Sequence, residues 1–285
     1  MRFALVGGDK TEAQPGLRGS CVHCQSDMIA YCGAEKVWHW KHKRKSLCDP
    51  WWENEAEWHR EWKKHFPKEW QELGHFDSMN EEKHIADVKT ISGLVIEFQH
   101  SAIDSDEIKS RENFYKNMVW LVNGTRLSMD YRRFCKGSND FHAGSGHKDF
   151  GSSIWKGIYF TYFPEECFPK RWLESSVPVY FDFQGIPPVD QADERRSFLW
   201  CLFPGDMGGW AVVASLSRKD FVECALNNSR LLLAQDILSH MDEQREKEKQ
   251  QAEEQKWREN QRAEAFRQLM INPKRGRYRR VIGKR

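Results

Sequence analysis

The sequence predicts an α/β protein built on a mixed sheet, and three observations predict it. HIADVKTISGLVIEFQHS, residues 84–101, reads as two strands joined by an Ile-Ser-Gly turn. The charged amphipathic stretch DSDEIKSRENFYKN separates that hairpin from the apolar run MVWLVNG, so a crossover helix joins the second and third strands. Ahead of the hairpin, WWENEAEWHREWKKHFPKEW lacks Gly and is closed by Pro67, which suits a helix.

The composition sets the outer limits. Aromatic residues make up 13% of the 285 residues and include thirteen Trp, which excludes a disordered chain and leaves room for a sizeable core. No apolar run approaches the roughly 18 residues needed to cross a bilayer. MRFALVGGDK has neither a long apolar segment nor a cleavage site, so a cytoplasmic protein without a membrane partner is expected. The net charge of +2 averages over segments of very different sign and says little about partners.

In chain order the first element is a strand, Phe3 to Val6, followed by a loop containing Gly and Pro. Then comes CVHCQSDMIAYCGAEKVWHWKHKRKSLCDP. A cytoplasm keeps thiols reduced, so the eight Cys need a reason other than disulfides. Cys135, Cys167, Cys201 and Cys224 lie among apolar neighbours and read as buried thiols. Cys21, Cys24, Cys32 and Cys48 crowd into the first fifth of the chain and look like ligands. Cys-x-x-Cys makes a tight knuckle, and MIAYCGAEKVWHW reads as two short strands around a GAEK turn. Cys21, Cys24, His42 and Cys48 are the favoured Zn²⁺ ligands, with His39 as an alternative and Cys32 as a packed thiol. Such a zinc-finger-like module replaces the core that a segment of fewer than about fifty residues lacks. Its closed thiolate-rich site offers no open coordination position, which marks it as structural rather than hydrolytic.

In the helix that follows, Trp51, Trp58, Trp62 and Phe66 recur at helical intervals and form the expected buried stripe. Glu55, His59 and Lys63 stand four apart and stack along another face. Alone, such a row is an ion-pair ladder of modest worth.

The hairpin carries the sharper signal. Side chains alternate along a strand, so Leu94, Ile96 and Phe98 point one way while Glu97, Gln99 and Ser101 point the other. A buried lone carboxylate costs several kcal/mol, and no Lys or Arg lies within this strand to offset Glu97. A Mg²⁺ ion shared with Asp87, at the end of the preceding strand, would do so. The competing account is a structural ion pair with Lys63, Lys89 or Arg111.

An Asp, a turn, then Glu-x-Lys on the next strand is the signature of the PD-(D/E)XK nuclease superfamily. Asp87, Glu97 and Gln99 resemble it, with Gln in place of Lys. The series CVHC, HWKHK, CDPWWENEAEWHREWK, HIADV, IEFQHS and RENFY is similar, in order, to the motifs of competence protein CoiA-like nucleases over about residues 1 to 125. The resemblance implies a restriction-endonuclease-like core that cuts DNA with Mg²⁺ or Mn²⁺. Asp87 and Glu97 would hold the metal, Gln99 would stand at the lysine position, and Glu55 would be the acidic residue of the first helix. His59 or Lys63 would then contact phosphate, with Arg111 and Tyr115 facing the same cleft. Gln99 can orient a water but carries no charge, so His59, Lys63, His100 or a second metal sharing Glu55 become candidates for activating it. The rival expectation is a DNA-binding adaptor that keeps the fold without turnover.

Beyond residue 125, VPVYFDF, FLWCLF and GWAVVAS read as strands and SRKDFVECAL as a helix; they either complete the sheet or form a separate lobe. From Arg230 to Met270 the chain has no Pro or Gly and reads as one long polar helix that projects into solvent carrying the basic tail, with a homodimer through that helix as the alternative. Pro273 to Arg285 carries seven Lys or Arg and no acid, so Lys274, Arg275, Arg277, Arg279 and Arg280 become candidate phosphate contacts. The expected organisation is therefore a zinc-finger-like module (1–50), a nuclease-like domain (51–228, core 51–125 and extension 126–228), a long helix (229–270) and a basic tail (271–285).

Overall fold

The computed structural model describes residues 1–44, 48–49, 51, 55–77, 82–143, 155–186, 188–189, 192–227 and 233–271. Five short strands open the chain: β1 (Phe3–Val6), β2 (Asp9–Glu12), β3 (Arg18–Ser20), β4 (Asp27–Tyr31) and β5 (His39–His42). They form an antiparallel sheet in the order β2-β1-β3-β4-β5. Gly7 and Gly8, at φ 62° and 98°, close the β1–β2 hairpin in a two-residue turn that a Cβ would strain. Among the described residues, the buried core behind this sheet is Met1, Ala4, Ala13, Cys21, Met28 and Trp40, with Val6, Leu17, Ala30, Cys32, Cys48 and Ile85 partly buried against it, which is small for five strands.

The rest of the main unit is one mixed sheet with helices on it. In chain order come α1 (Glu57–Lys63), β6 (Gln71–Asp77), β7 (Glu82–Lys89), β8 (Val95–Gln99), α2 (Ser105–Tyr115), β9 (Met118–Asn123) and α3 (Ser128–Gly137). They are followed by β10 (His142–Ala143), β11 (Trp155–Thr161), β12 (Val179–Asp182), β13 (Phe198–Leu202), β14 (Ala211–Ser217), α4 (Arg218–Leu226) and α5 (Leu233–Ile271). The strand order is β10-β11-β14-β13-β12-β9-β8-β7-β6. Only β8, β9 and β12 run parallel to one another, and α2 is the crossover between the first two. The segment beyond residue 125 thus completes this sheet, through β12 beside β9, rather than forming a separate lobe. This is an α+β arrangement with two sheets and five helices among the described residues.

β8, β9 and β12 are buried along their whole length, as strands covered on both faces must be. Trp58, Trp62 and Phe66 bring α1 onto Phe98, while Ile108, Phe114 and Tyr115 of α2 pack with Val95, Trp120 and Val179. Buried carboxylates fasten both helices. Asp182 accepts the indole N–H of Trp58 at 2.8 Å and of Trp62 at 3.0 Å, with Arg218 as its cation. Glu112 accepts from Trp120 Nε1 at 3.0 Å and from Ser175 and Ser176. Asp104 caps α2 through the Glu107 N–H at 2.8 Å.

The structure corrects several local expectations. α1 is only seven residues long, so Glu55 precedes the helix instead of standing on its first turn. Trp51 leaves the stripe and stacks on His84 instead, ring centroids 3.2 Å apart. β6, α3 and β11 had no counterpart in the sequence reading. No described helix is long and apolar enough to cross a membrane. Met1–Leu238 fold as one unit, and from Ser239 onward the helix belongs to a second, whose described side chains are exposed, Trp257 and Phe266 among them. The tail residues Lys274, Arg275, Arg277, Arg279 and Arg280 lie outside the described residues.

At the end of α2, Lys116 is exposed and sits at φ 59°, a region side chains avoid. Lys116→Gly is therefore expected to raise stability by about 1 kcal/mol, read from thermal or urea denaturation; a destabilised variant would show that the position is not strained.

Candidate functional site

The site follows from strand register. β6 pairs with β7 as Gln71↔Val88 and Leu73↔Ala86, and β7 with β8 as Val88↔Ile96. Carried one residue on, that register sets Glu72, Asp87 and Glu97 in a row across three adjacent strands. The β7–β8 ladder stops just before the carboxylates, and side chains replace it. The Asp87 N–H donates to Glu97 Oε1 at 3.1 Å, and the Phe98 N–H donates to Asp87 Oδ2 at 3.0 Å. Each acid thus caps the other's strand, which aims both toward one cavity of about 50 Å³. Glu72, at φ 48°, lies in the left-handed region and forms no ladder pair with Asp87; such strain persists only where the surroundings fix it. Its carboxylate accepts the N–H groups of Arg2 at 2.7 Å and Phe3 at 3.2 Å, joining the small sheet to the large one.

Two helices supply the cations. Lys63 is 1% exposed, and its ammonium lies 2.5 Å from Glu55, 2.9 Å from Asp87 and 3.7 Å from Glu72. Burial opposes that charge, but Asp87, Glu55 and Glu72 outweigh it and hold the ammonium's pKa above the usual lysine value. Burial likewise works against the carboxylates of Asp87 and Glu55. For Asp87 the charges of His59 and Lys63 prevail, for Glu55 those of Lys63 and His59, and both acids are held well below the usual range. His59 Nε2 lies 2.9 Å from Asp87 Oδ1, without the alignment of a hydrogen bond. Arg111 of α2 donates to Glu97 Oε2 at 3.1 Å. The ion pairs with Lys63 and Arg111 that competed with a metal are therefore both present. Lys89 is engaged elsewhere, 2.9 Å from His75 Nδ1.

The cations come close to balancing the site. Asp49, Glu55, Glu72, Asp87 and Glu97 line the cavity with Lys63, Arg111 and the Met1 amino group. Arg60 pairs with Glu55 at 2.9 Å, and His59 and His84 add charge only when protonated. Glu97 is the acid least well served: burial and the charge of Asp87 push its pKa up to about 8 despite Arg111. Side-chain donor atoms of Glu55, His59 and Asp87 all lie within 4.8 Å of one another, close enough to hold a metal ion.

The remaining sequence candidates fall unevenly. Arg111 lines the cavity but is 6% exposed and largely committed, to Glu97, to Glu107 and, at 2.9 Å, to Trp51 O. That removes it as a ready phosphate contact. Tyr115 is buried in the same wall. Gln99 lines the same cavity, and its amide NH₂ donates to Ser101 O at 3.2 Å and Ser101 Oγ at 3.1 Å. Glu72 went unread because its role depends on the register of β6, a strand whose alternation is hidden by polar residues on both faces.

The second cluster forms where the small sheet needs it. Donor atoms of Cys21, Cys24, His42 and Cys48 lie within 4.8 Å of one another. Cys21 and Cys48 Sγ are 3.7 Å apart, matching the edge of about 3.7 Å that a tetrahedron with Zn–S bonds of about 2.3 Å requires. Cys24 Sγ is 3.2 Å from His42 Nε2. His39 instead faces Val37 O at 2.8 Å and stands outside the cluster, and Cys32 packs against the small core. Burial works against the Cys24 thiolate, but hydrogen bonds from Ser26, His42 and Cys21 hold its pKa down to about 6; burial and the neighbouring Cys21 push Cys48 up. Holding all three cysteines as thiolates this close together would take a cation between them, and the cluster could bind one.

Comparison with protein-family models, curated proteins and solved structures returns no match for this chain.

Proposed function

We propose that this chain is a metal-dependent DNA endonuclease of the PD-(D/E)XK type, carrying a structural Zn²⁺ on Cys21, Cys24, His42 and Cys48. The carrying observation is the convergence of Glu55, His59 and Asp87, whose donor atoms lie within 4.8 Å of one another in the cavity that Glu97 also lines. The motif series that resembles CoiA-like nucleases supports the same reading.

The donor set fits the ion. Carboxylate oxygens suit Mg²⁺ and Mn²⁺, and the His59 imidazole shifts the preference toward Mn²⁺. Asp87 and Glu97, with Glu55 and His59 as further donors, would hold such an ion, which would supply an activated water and charge compensation at the phosphate. The chain's own residues do the rest. Lys63 carries the charge that Gln99 lacks, and from its buried place between Glu55, Asp87 and Glu72 it orders those carboxylates rather than meeting phosphate directly. Arg111 fixes the Glu97 carboxylate against the sheet. His59, 2.9 Å from Asp87, is placed to take a proton from water or to return one to the departing oxygen.

One observation favours the second reading, a non-catalytic DNA-binding adaptor: both motif acids already hold protein cations. A cleavage assay separates the two. Linear, circular, single-stranded and duplex DNA are offered with Mg²⁺ or Mn²⁺ to the wild type and to Glu97→Ala. The nuclease reading expects metal-dependent cutting that falls at least about 100-fold in the variant while DNA binding persists. Binding without cutting by the wild type under every divalent ion leaves the adaptor.

A further inference from the structure

β8, β9 and β12 run parallel, so Gln99, Asn123 and Asp182 end at one edge of the sheet, the side on which open α/β sheets take ligands. A second cavity opens there. Its floor is Val122, Trp172 and Phe181, and its polar lining includes His100, Asn123, Arg126 and Arg171. Gln99 lines both this cavity and the carboxylate cavity, so the two are neighbours across one side chain.

The lining is rich in donors. Arg126 is exposed and makes no ion pair or hydrogen bond among the described residues. Arg171 gives one N–H to Ile103 O at 3.2 Å and makes no further hydrogen bond among them. Asn123 Oδ1 accepts from the Thr125 N–H at 2.8 Å and the Thr125 hydroxyl at 2.7 Å, which fixes its amide. The Asn123 Nδ2 then donates to His100 Nδ1 at 2.9 Å, leaving a neutral His100 with its proton on Nε2. α3 begins between Arg126 and Asp130 of the lining, and no side chain caps its first turn. The one acid of the lining, Asp130, feels three arginines, Arg133, Arg126 and Arg171.

We propose that this cavity is an anion subsite that holds a backbone phosphate of the polynucleotide flanking the one over Asp87 and Glu97, through Arg126 and Arg171. The assignment rests on the reading of the carboxylate site as a phosphodiester site. A divalent metal site is excluded by the lining itself, which offers two guanidinium groups and a single carboxylate. A phosphate diester matches it, since a guanidinium donates in pairs to phosphate oxygens.

The test uses the full chain and a fluorescent duplex oligonucleotide, without added divalent ion, with affinity measured across a salt series. Arg126→Ala and Arg171→Gln, each checked by thermal denaturation to be folded, are expected to weaken binding roughly tenfold at low salt. Each should also lower the salt slope by about one. Arg126→Glu should weaken binding further. If the wild type binds and cuts DNA while all three variants keep its affinity and slope, the subsite is overturned and the nuclease reading stands. If the variants lose affinity while no wild-type cutting is ever seen, the subsite is upheld and the hydrolytic reading falls. Arg126-dependent binding of inorganic phosphate, read as a change in Trp fluorescence, with no oligonucleotide binding, would overturn the polynucleotide assignment.

Discussion

Withdrawing the Zn²⁺ proposed on Cys21, Cys24, His42 and Cys48 is expected to unfold β1–β5 while the nine-stranded sheet persists. The small sheet buries few apolar side chains, and its four candidate ligands come from the knuckle after β3, the end of β5 and the chain beyond it. In small zinc modules the metal contributes on the order of 10 kcal/mol of apparent folding free energy, which no packing here replaces. Cys24→Ser is the informative variant, because Cys24 is exposed and its thiol adds little to the core. It should lose stoichiometric zinc and gain rapid proteolysis between β5 and α1. Cutting should fall as well, because Glu72 would lose the Arg2 and Phe3 N–H groups and present one more bare carboxylate to the site. A Cys24→Ser protein with unchanged melting behaviour, or a wild type purified free of zinc and still fully folded, would remove the metal from this cluster.

Lys63→Met is expected to cost about 3–5 kcal/mol of stability, the usual result of removing one partner from a buried ion pair. The methionine keeps most of the volume and removes the charge, so Glu55, Asp87 and Glu72 remain buried around an apolar side chain. Urea denaturation reads the loss. Mn²⁺ should then return part of it, about 2.7 kcal/mol at a hundredfold excess over Kd, because an ion that binds only the folded state stabilises it. A loss under about 1 kcal/mol would mean that the carboxylates escape to solvent; a full loss with no recovery in Mn²⁺ would mean that they hold protein cations only.

What was legible in the sequence is what local chemistry writes. The β7–β8 hairpin, α2, β9 and α4 each have a clear run, turn or cap, and Asp87 and Glu97 could be placed on facing strands from residues 84–101 alone. Trp58, Trp62 and Phe66 also carried their buried stripe into the structure. What long-range pairing decides was hidden. β6 is an edge strand with His, Glu and Gly among its residues, so neither the strand nor Glu72 beside Asp87 could be read. α3 is amphipathic, with Tyr131 and Phe134 on its buried side, but it spans only ten residues and has no side-chain cap, so no boundary announced it as a helix. Glu55 reaches Lys63 without standing on its helix, and Arg111 faces the cleft yet is held by acids that only the fold brings to it.

The mutual capping of Asp87 and Glu97 bears on denticity. One oxygen of each carboxylate accepts a main-chain N–H and the other faces a side-chain cation, so an ion proposed there would share every oxygen with an existing partner. Ca²⁺ takes six to eight oxygens and often grips a carboxylate by both, whereas Mg²⁺ takes six single contacts, several of them water. In the proposed site the hairpin's hydrogen bonding would therefore favour an ion held by single contacts over one gripped by both oxygens.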